Sequence, residues 1–193
     1  MVPFRLQYAK RLRLTTPFNP SNEEDIHGDQ GWRKLPGGTL TEMIETEQPG
    51  CSIGPNNFNV ADLTKGKKVV IFGLPGAFTP TCSAKHVPGY VNNIDKLKAK
   101  KVDEVWCVSV NDAFVMGAWA KDQKAVGKVR MMADGSAVFT KALGLDMDLT
   151  GRGMGVRSQR YSMLVDDGTV KALNVEAPGK FEVSDADSML KAL

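Results

Sequence analysis

"KKVVIFGLPGAFTPTCSAKHVPGY" runs from Lys67 to Tyr90, and its reading decides the fold. Residues 67–73 are a continuous β-branched and apolar run, the pattern of a strand buried on both faces. Pro75 and Gly76 then turn the chain. Thr79-Pro80 reads as the cap and first position of a helix, where proline loses nothing because its missing N–H would be unpaired anyway. On that register Cys82 is the third helical residue. First-turn N–H groups and the helix dipole favour an anion there. A cysteine so placed can have its pKa lowered from about 8.5 into the range ~3.5–7.5. The stretch therefore predicts a reactive thiolate beyond the carboxyl end of a sheet strand, where open α/β sheets bind ligands. The competing reading is a small core cysteine, and the density of Pro, Gly and Thr around Cys82 favours the reactive one.

Working outward, GTLTEMIET (38–46) reads as a short strand, and CSIGPNNFNVADLTKGKK (51–68) as loop and turn. YVNNIDKLKAKK has helical spacing at Val91, Ile94 and Leu97. VDEVWCVSV (102–110) is a second buried strand, NDAFVMGAWAKDQ a helix opened by Asn-Asp, VRMMAD a short strand and GSAVFTKALGL a short helix. DMDLTGRGMGVRSQR (146–160) reads as a Gly-rich loop. YSMLVDDGTVKALNVE (161–176) is a hairpin turned at Asp-Gly, and SDADSMLKAL closes with a helix capped at Ser184 or Asp185. Alternating strands and helices in the middle predict parallel crossovers. The expected class is α/β, a thioredoxin-like fold whose central mixed sheet is flanked by helices, in one domain over 34–193.

The chain has 193 residues, 42% hydrophobic and 24% charged, enough for one core. No apolar run approaches the ~20 residues of a membrane span. The first 20 residues hold Arg5, Lys10, Arg11 and Arg13 and no acid, so the formal +3 comes from them and the body is near neutral. That body carries no electrostatic footprint for nucleic acid. Residues 1–33 read as a disordered extension, with a mitochondrial-type presequence as the alternative, and the compartment as cytoplasmic unless they are one. Three cysteines (Cys51, Cys82 and Cys107), two histidines and no Cys-x-x-Cys make neither a disulfide framework nor a zinc pattern.

Thr79 has two readings, a cap worth about 1 kcal/mol and a hydroxyl within reach of the Cys82 sulfur. His86, four residues after Cys82, shares its helix face. A Cys–His nucleophile pair would suit a thiol hydrolase, but Pro88 follows and no orienting third residue is evident, so a structural role behind the site is favoured. Gly151-Arg-Gly-Met-Gly is not a dinucleotide fingerprint, since no strand leads into it.

Pro75-Gly-Ala-Phe-Thr79-Pro-Thr-Cys82 resembles the peroxiredoxin signature P-x-x-x-T-x-x-C. FGLPGAFTPTCSAKHVPGY, CVSVNDAFVMGAWAK, MADGSAVFTKALGLDMDL, GVRSQRYSMLVDDGTVKALNVE and FEVSDADSMLKAL resemble the fifth-class, or type II, subgroup. The resemblance covers about residues 35–193. It implies a thiol peroxidase for hydrogen peroxide and alkyl hydroperoxides, needing no metal or organic cofactor. Cys82 matches the peroxidatic nucleophile that becomes a sulfenic acid, Thr79 the hydroxyl that orients the peroxide, and Pro75 the shield over the sulfur. Arg160 matches the arginine that stabilises the thiolate and the leaving oxygen, and the backbone N–H groups of Thr81 and Cys82 complete the anion site. Arg157 reads as a solvated loop residue and ranks below Arg160.

Some fifth-class members resolve the sulfenic acid with a C-terminal cysteine. Ser184 stands at that position here. Cys107, in a buried strand, and Cys51, in a loop, are the remaining candidates for a resolving or glutathione-reactive thiol, with a small core hydrophobe the favoured reading of Cys107. The resemblance then implies recycling by glutathione with glutaredoxin, or by thioredoxin, and a homodimer. The non-catalytic alternative is a peroxide-sensing thiol module without significant turnover.

Overall fold

In a computed structural model, residues 27–28, 31–32, 34–47 and 49–193 are described. Strands β1 (His27–Gly28) and β2 (Gly31–Trp32) pair as a minimal ribbon. The remainder of the 1–33 expectation lies outside the described residues. The body is a seven-stranded mixed sheet built from β3 (Thr39–Ile44), β4 (Gly54–Asn59), β5 (Lys68–Leu74), β6 (Glu104–Ser109), β7 (Arg130–Ala133), β10 (Tyr161–Asp166) and β11 (Thr169–Val175). Their spatial order is β11-β10-β5-β6-β7-β3-β4. β5, β6 and β7 are parallel, and the flanking pairs are antiparallel.

The apolar run in β5 is continuous because successive side chains enter opposite layers. Val70, Phe72 and Leu74 join one core with Tyr90, Leu97, Met116 and Trp119. Val69 and Ile71 join the other with Leu40, Trp106, Phe139 and Tyr161. The helices are α1 (Val60–Thr64), α2 (Val87–Asn92), α3 (Ile94–Ala99), α4 (Ala113–Asp122), α5 (Val138–Ala142) and α6 (Ala186–Ala192), and all but α1 fall in segments that the sequence marks as helical. Asp112 and Asp185 cap α4 and α6 with their carboxylates. Asp167 and Gly168 turn the β10–β11 hairpin with φ of 46° and 68°, the two left-handed residues of a type I′ turn.

Two loop expectations are corrected. Within 51–68 lie β4, an edge strand whose burial alternates, and α1, capped by Asn59. Asn-rich composition hid both, because the strand's register comes from pairing with β3 rather than from its own residues. Within 146–160, β8 (Asp146–Asp148) and β9 (Val156–Ser158) form a small antiparallel ribbon around a 3₁₀ turn at Thr150–Arg152.

Candidate active site

The site forms beyond the carboxyl ends of the parallel strands. The first helical bond after β5 is Ser83 N–H to the Thr79 carbonyl, at 3.0 Å. That puts Thr79 at the cap and Cys82 at the third helical position. The amides of Thr81 and Cys82 therefore precede the first helical donor, Ser83 N–H, and are first-turn N–H groups without an intrahelical acceptor. Cys82–His86 is then a widened π-turn, closed by Val87 N–H on the Cys82 carbonyl. Pro88 has no N–H to give the Ala84 carbonyl, which removes the α-type bond at this point. The helix begun at Thr79-Pro80 and the helical spacing at Val91, Ile94 and Leu97 thus resolve into three pieces, broken again at Asn93.

β10 runs antiparallel to β5 with Tyr161 opposite Gly73. Arg160, the residue before Tyr161, therefore arrives at the end of β5, 78 residues from Cys82 in sequence. Its Nη2 donates to the Cys82 sulfur at 3.4 Å, and its Nη1 donates to His86 Nδ1 at 3.0 Å. Arginine has no acceptor to offer, so His86 Nδ1 is the acceptor, and Nε2–H donates to the Ser184 carbonyl at 3.1 Å. Burial, then the Arg160 charge, lowers the His86 pKa from 6.5 to about 3. The imidazole is neutral with both nitrogens engaged, so it has no lone pair with which to take a proton from Cys82.

Thr79 departs from one expectation. Its hydroxyl donates to the Gly76 carbonyl at 2.8 Å rather than to the sulfur. The proton is used inside the turn, and the oxygen keeps its lone pairs for an incoming O–H.

Ser184, which the resemblance sets at a resolving position, is fully buried. Its N–H and hydroxyl both donate to Glu176 Oε1 at 2.8 Å, as do the N–H groups of Glu182 and Val183. Burial opposes the Glu176 charge, yet these donors hold its carboxyl below the ordinary range. Glu176 N–H in turn donates to the Arg160 carbonyl at 2.9 Å. The Ser184 carbonyl also accepts from Tyr90 Oη at 3.0 Å. Phe181 covers the assembly, with the Arg160 guanidinium 5.6 Å above its ring and His86 against its edge. Nothing in the spacing of NVE or FEVSD signals this network, which exists only when β11 and the segment before α6 come together.

A groove of about 780 Å³ opens over the site. Its floor includes Pro75, Thr79, Thr81 and Arg160. Met147, Leu149 and Met154 line one wall, and Ala177, Pro178 and Lys180 the other. Cys82 itself is fully buried behind that floor. Cys107 is also buried, in β6, and burial pushes its thiol well above the usual range. Cys51 is half exposed and lies in a separate depression with Glu47, Pro49, Ser52 and Ile53, so the fold does not bring it into the groove. Among the described residues no group of three or more His, Cys, Asp or Glu is arranged to hold a metal, and no helix is long and apolar enough to cross a membrane.

Residues 34–190 match the family model called Redoxin. Over 159 residues the chain is 49% identical to Peroxiredoxin-2B of Arabidopsis thaliana, covering 82% of this chain and 94% of that one. Relatives of similar identity include chloroplastic and mitochondrial forms. Among solved structures, the reduced Prx3 of Vibrio vulnificus in complex with hydrogen peroxide is 52% identical with a TM-score of 0.76, over 83% of this chain and 96% of that one. A Burkholderia cenocepacia protein assigned as a thioredoxin reductase is 64% identical with a TM-score of 0.83, over 83% of this chain and 95% of that one. This chain has no Cys-x-x-Cys pair to serve such a reductase. The signature Pro75…Thr79…Cys82, the arginine at the sulfur, the sheet around them and these relatives agree: the chain belongs to the redoxin family as a type II peroxiredoxin, a thiol peroxidase.

Proposed function

We propose that Cys82 is the nucleophile of a peroxidase cycle acting on hydrogen peroxide and alkyl hydroperoxides. The observation that carries this reading is the 3.4 Å contact between Arg160 and the Cys82 sulfur at the floor of a groove lined largely by apolar side chains. The thiolate attacks the terminal oxygen of R–O–O–H. An S–O bond forms, the O–O bond breaks, Cys82 becomes a sulfenic acid, and RO⁻ leaves to take a proton from solvent. The Thr79 oxygen accepts the peroxide O–H, Pro75 shields the sulfur, and the amides of Thr81 and Cys82 with Arg160 stabilise the charge that moves from sulfur to the departing oxygen.

An external thiol resolves the sulfenic acid in this reading. Ser184 cannot, and the buried thiol of Cys107 stays protonated while the strand is folded. Cys51 opens elsewhere on the surface. The groove has room for glutathione, whose thiol condenses with Cys82–SOH to a mixed disulfide and water; glutaredoxin, or thioredoxin acting directly, then returns Cys82 to the thiol. A homodimer is the assembly this reading expects, and the exposed rings of Phe78, next to Thr79 in the chain, and Phe114, at 54% and 64%, offer apolar surface for it. We place the protein in the cytoplasm, or in mitochondria if residues 1–33 act as a presequence.

The test is to mix reduced protein with one equivalent of hydrogen peroxide and follow peroxide loss from milliseconds to seconds, with Cys82→Ser alongside. Fast stoichiometric loss that disappears in the variant is expected. Loss no faster than a free thiol's, or unchanged in the variant, would leave only a thiol-bearing sensing module.

A further inference from the structure

Arg157 is not the solvated loop residue that its sequence context suggests. It is half buried, its Nε donates to the Met154 carbonyl at 2.8 Å, and its Nη1 donates to the Val110 carbonyl at 3.0 Å. It thus ties the wall of the groove to the end of β6. The next residue along, Asn111, uses Oδ1 to accept both the Ser109 hydroxyl, at 2.8 Å, and the Ala77 N–H, at 3.0 Å. Gly76 lies against both side chains. A Cβ built there would stand 3.2 Å from Arg157 Nη1, 3.4 Å from Thr79 Cγ2 and 3.7 Å from Asn111 Oδ1. The φ of Gly76 is not left-handed, so the glycine serves close approach and not backbone conformation. The carbonyl of this same Gly76 receives the Thr79 hydroxyl proton at 2.8 Å.

We propose that Arg157, together with Asn111, is a positioning residue for the peroxide reaction, holding the Gly76 turn so that the Thr79 oxygen faces the incoming peroxide. The proposal rests on the peroxidase reading above. Asn111 fixes the amide after Gly76, the guanidinium presses on the turn itself, and the Gly76 carbonyl converts that placement into the orientation of one hydroxyl. Neither side chain touches the sulfur through any hydrogen bond of the described residues. Their effect therefore passes through Thr79, and displacement of a reacting group by about 1 Å from a remote mutation can cost on the order of 100-fold.

The experiment is a double-mutant cycle on hydrogen peroxide kcat/KM with Arg157→Met, Thr79→Val and the pair. Arg157→Met alone is expected to lower kcat/KM by about 10- to 100-fold. On the Thr79→Val background it should cost little more, because the group it positions is gone. Multiplicative losses overturn the proposal. A second readout is alkylation of Cys82 by iodoacetamide, which needs no Thr79 hydroxyl. Its rate should be unchanged by Arg157→Met, and an equal fall in alkylation and peroxide reduction would mean general disruption of the site and overturn the proposal. If Arg157→Met does not fold, Arg157→Lys, which keeps the charge but loses the fork, is carried through the same cycle. Wild-type protein that consumes no peroxide would sink the peroxidase reading itself, and the proposal with it, which the Cys82→Ser control separates from a failed cycle.

Discussion

His86 Nε2 lies 3.1 Å from the Ser184 carbonyl, and that contact fixes which nitrogen of the imidazole carries the proton. With Nε2–H donating, Nδ1 is free to accept from Arg160, and the guanidinium is aimed at Cys82. Ser184, distant in sequence, thereby orients a charge at the Cys82 sulfur. Several measurements test this arrangement and its supports.

The pH dependence of stability should carry the His86 signature. Its folded pKa of about 3 lies below the ordinary 6.5. Between these values the unfolded chain binds the extra proton, so stability rises with pH across the window and is flat above it. Acidification through the window costs up to about 1.4 kcal/mol per pH unit from this group. Urea unfolding at pH 7, 6 and 5 should show that slope in the wild type and a shallower one in His86→Gln. Equal slopes would refute the buried neutral imidazole.

Arg160→Met should cut hydrogen peroxide kcat/KM by ~100-fold or more, on the scale seen when a preorganised donor is lost. Stopped-flow peroxide consumption measures it. A change of less than about threefold would mean that the charge at the sulfur is not used in the reaction.

Glu176→Gln replaces a carboxylate that accepts four hydrogen bonds on one oxygen. Charge-assisted bonds contribute more than neutral ones, so about 2 kcal/mol of stability should be lost. Amide exchange at residues 182–184 should quicken before exchange in β5 and β6 does. Uniform quickening across the sheet would show that Glu176 supports the fold generally and not this segment.

Cys51 and Cys107 should label in a fixed order. In native protein Cys51 reacts with a maleimide, while Cys107 reacts only when urea unfolds β6. Mass spectrometry of peptides after timed labelling gives the order. Labelling of Cys107 in native protein on the timescale of Cys51 would return it to consideration as a resolving thiol.

Gly73→Ala tests the β5–β10 contact that delivers Arg160. A Cβ at Gly73 would run into the ring of Tyr161, which is fully buried opposite it. Overpacking of this kind typically costs about 1–3 kcal/mol. A lowered urea midpoint, with peroxide reduction also impaired through displaced Arg160, is expected; wild-type behaviour in both would show that the register tolerates the methyl.

Much of this was legible from short-range pattern. The 67–73 run, the Thr79-Pro80 start, the Asp-Gly hairpin and the Asp-capped helices are set by neighbours within a few residues, where propensity and turn chemistry act directly. The edge strand at Gly54–Asn59 and the ribbon at Asp146–Ser158 were not legible, because polar residues took strand form only by pairing with distant partners. At the site, Cys82 announced itself through its local frame. Arg160 was identifiable only by resemblance, and the parts played by Glu176, Asn111 and Arg157 had no local sign at all.

By itself, then, the sequence determined most of the elements and the helical position of Cys82, since these follow from backbone conformations that each segment prefers on its own. Only the tertiary structure decided which groups face that nucleophile. The pairing of Tyr161 with Gly73 carries Arg160 to the end of β5, and the burial of Ser184 against Glu176 presents the carbonyl that sets the His86 tautomer. The Tyr161–Gly73 pairing and the His86–Ser184 contact span 88 and 98 residues, and their geometry is fixed by sheet register and close packing rather than by any local pattern.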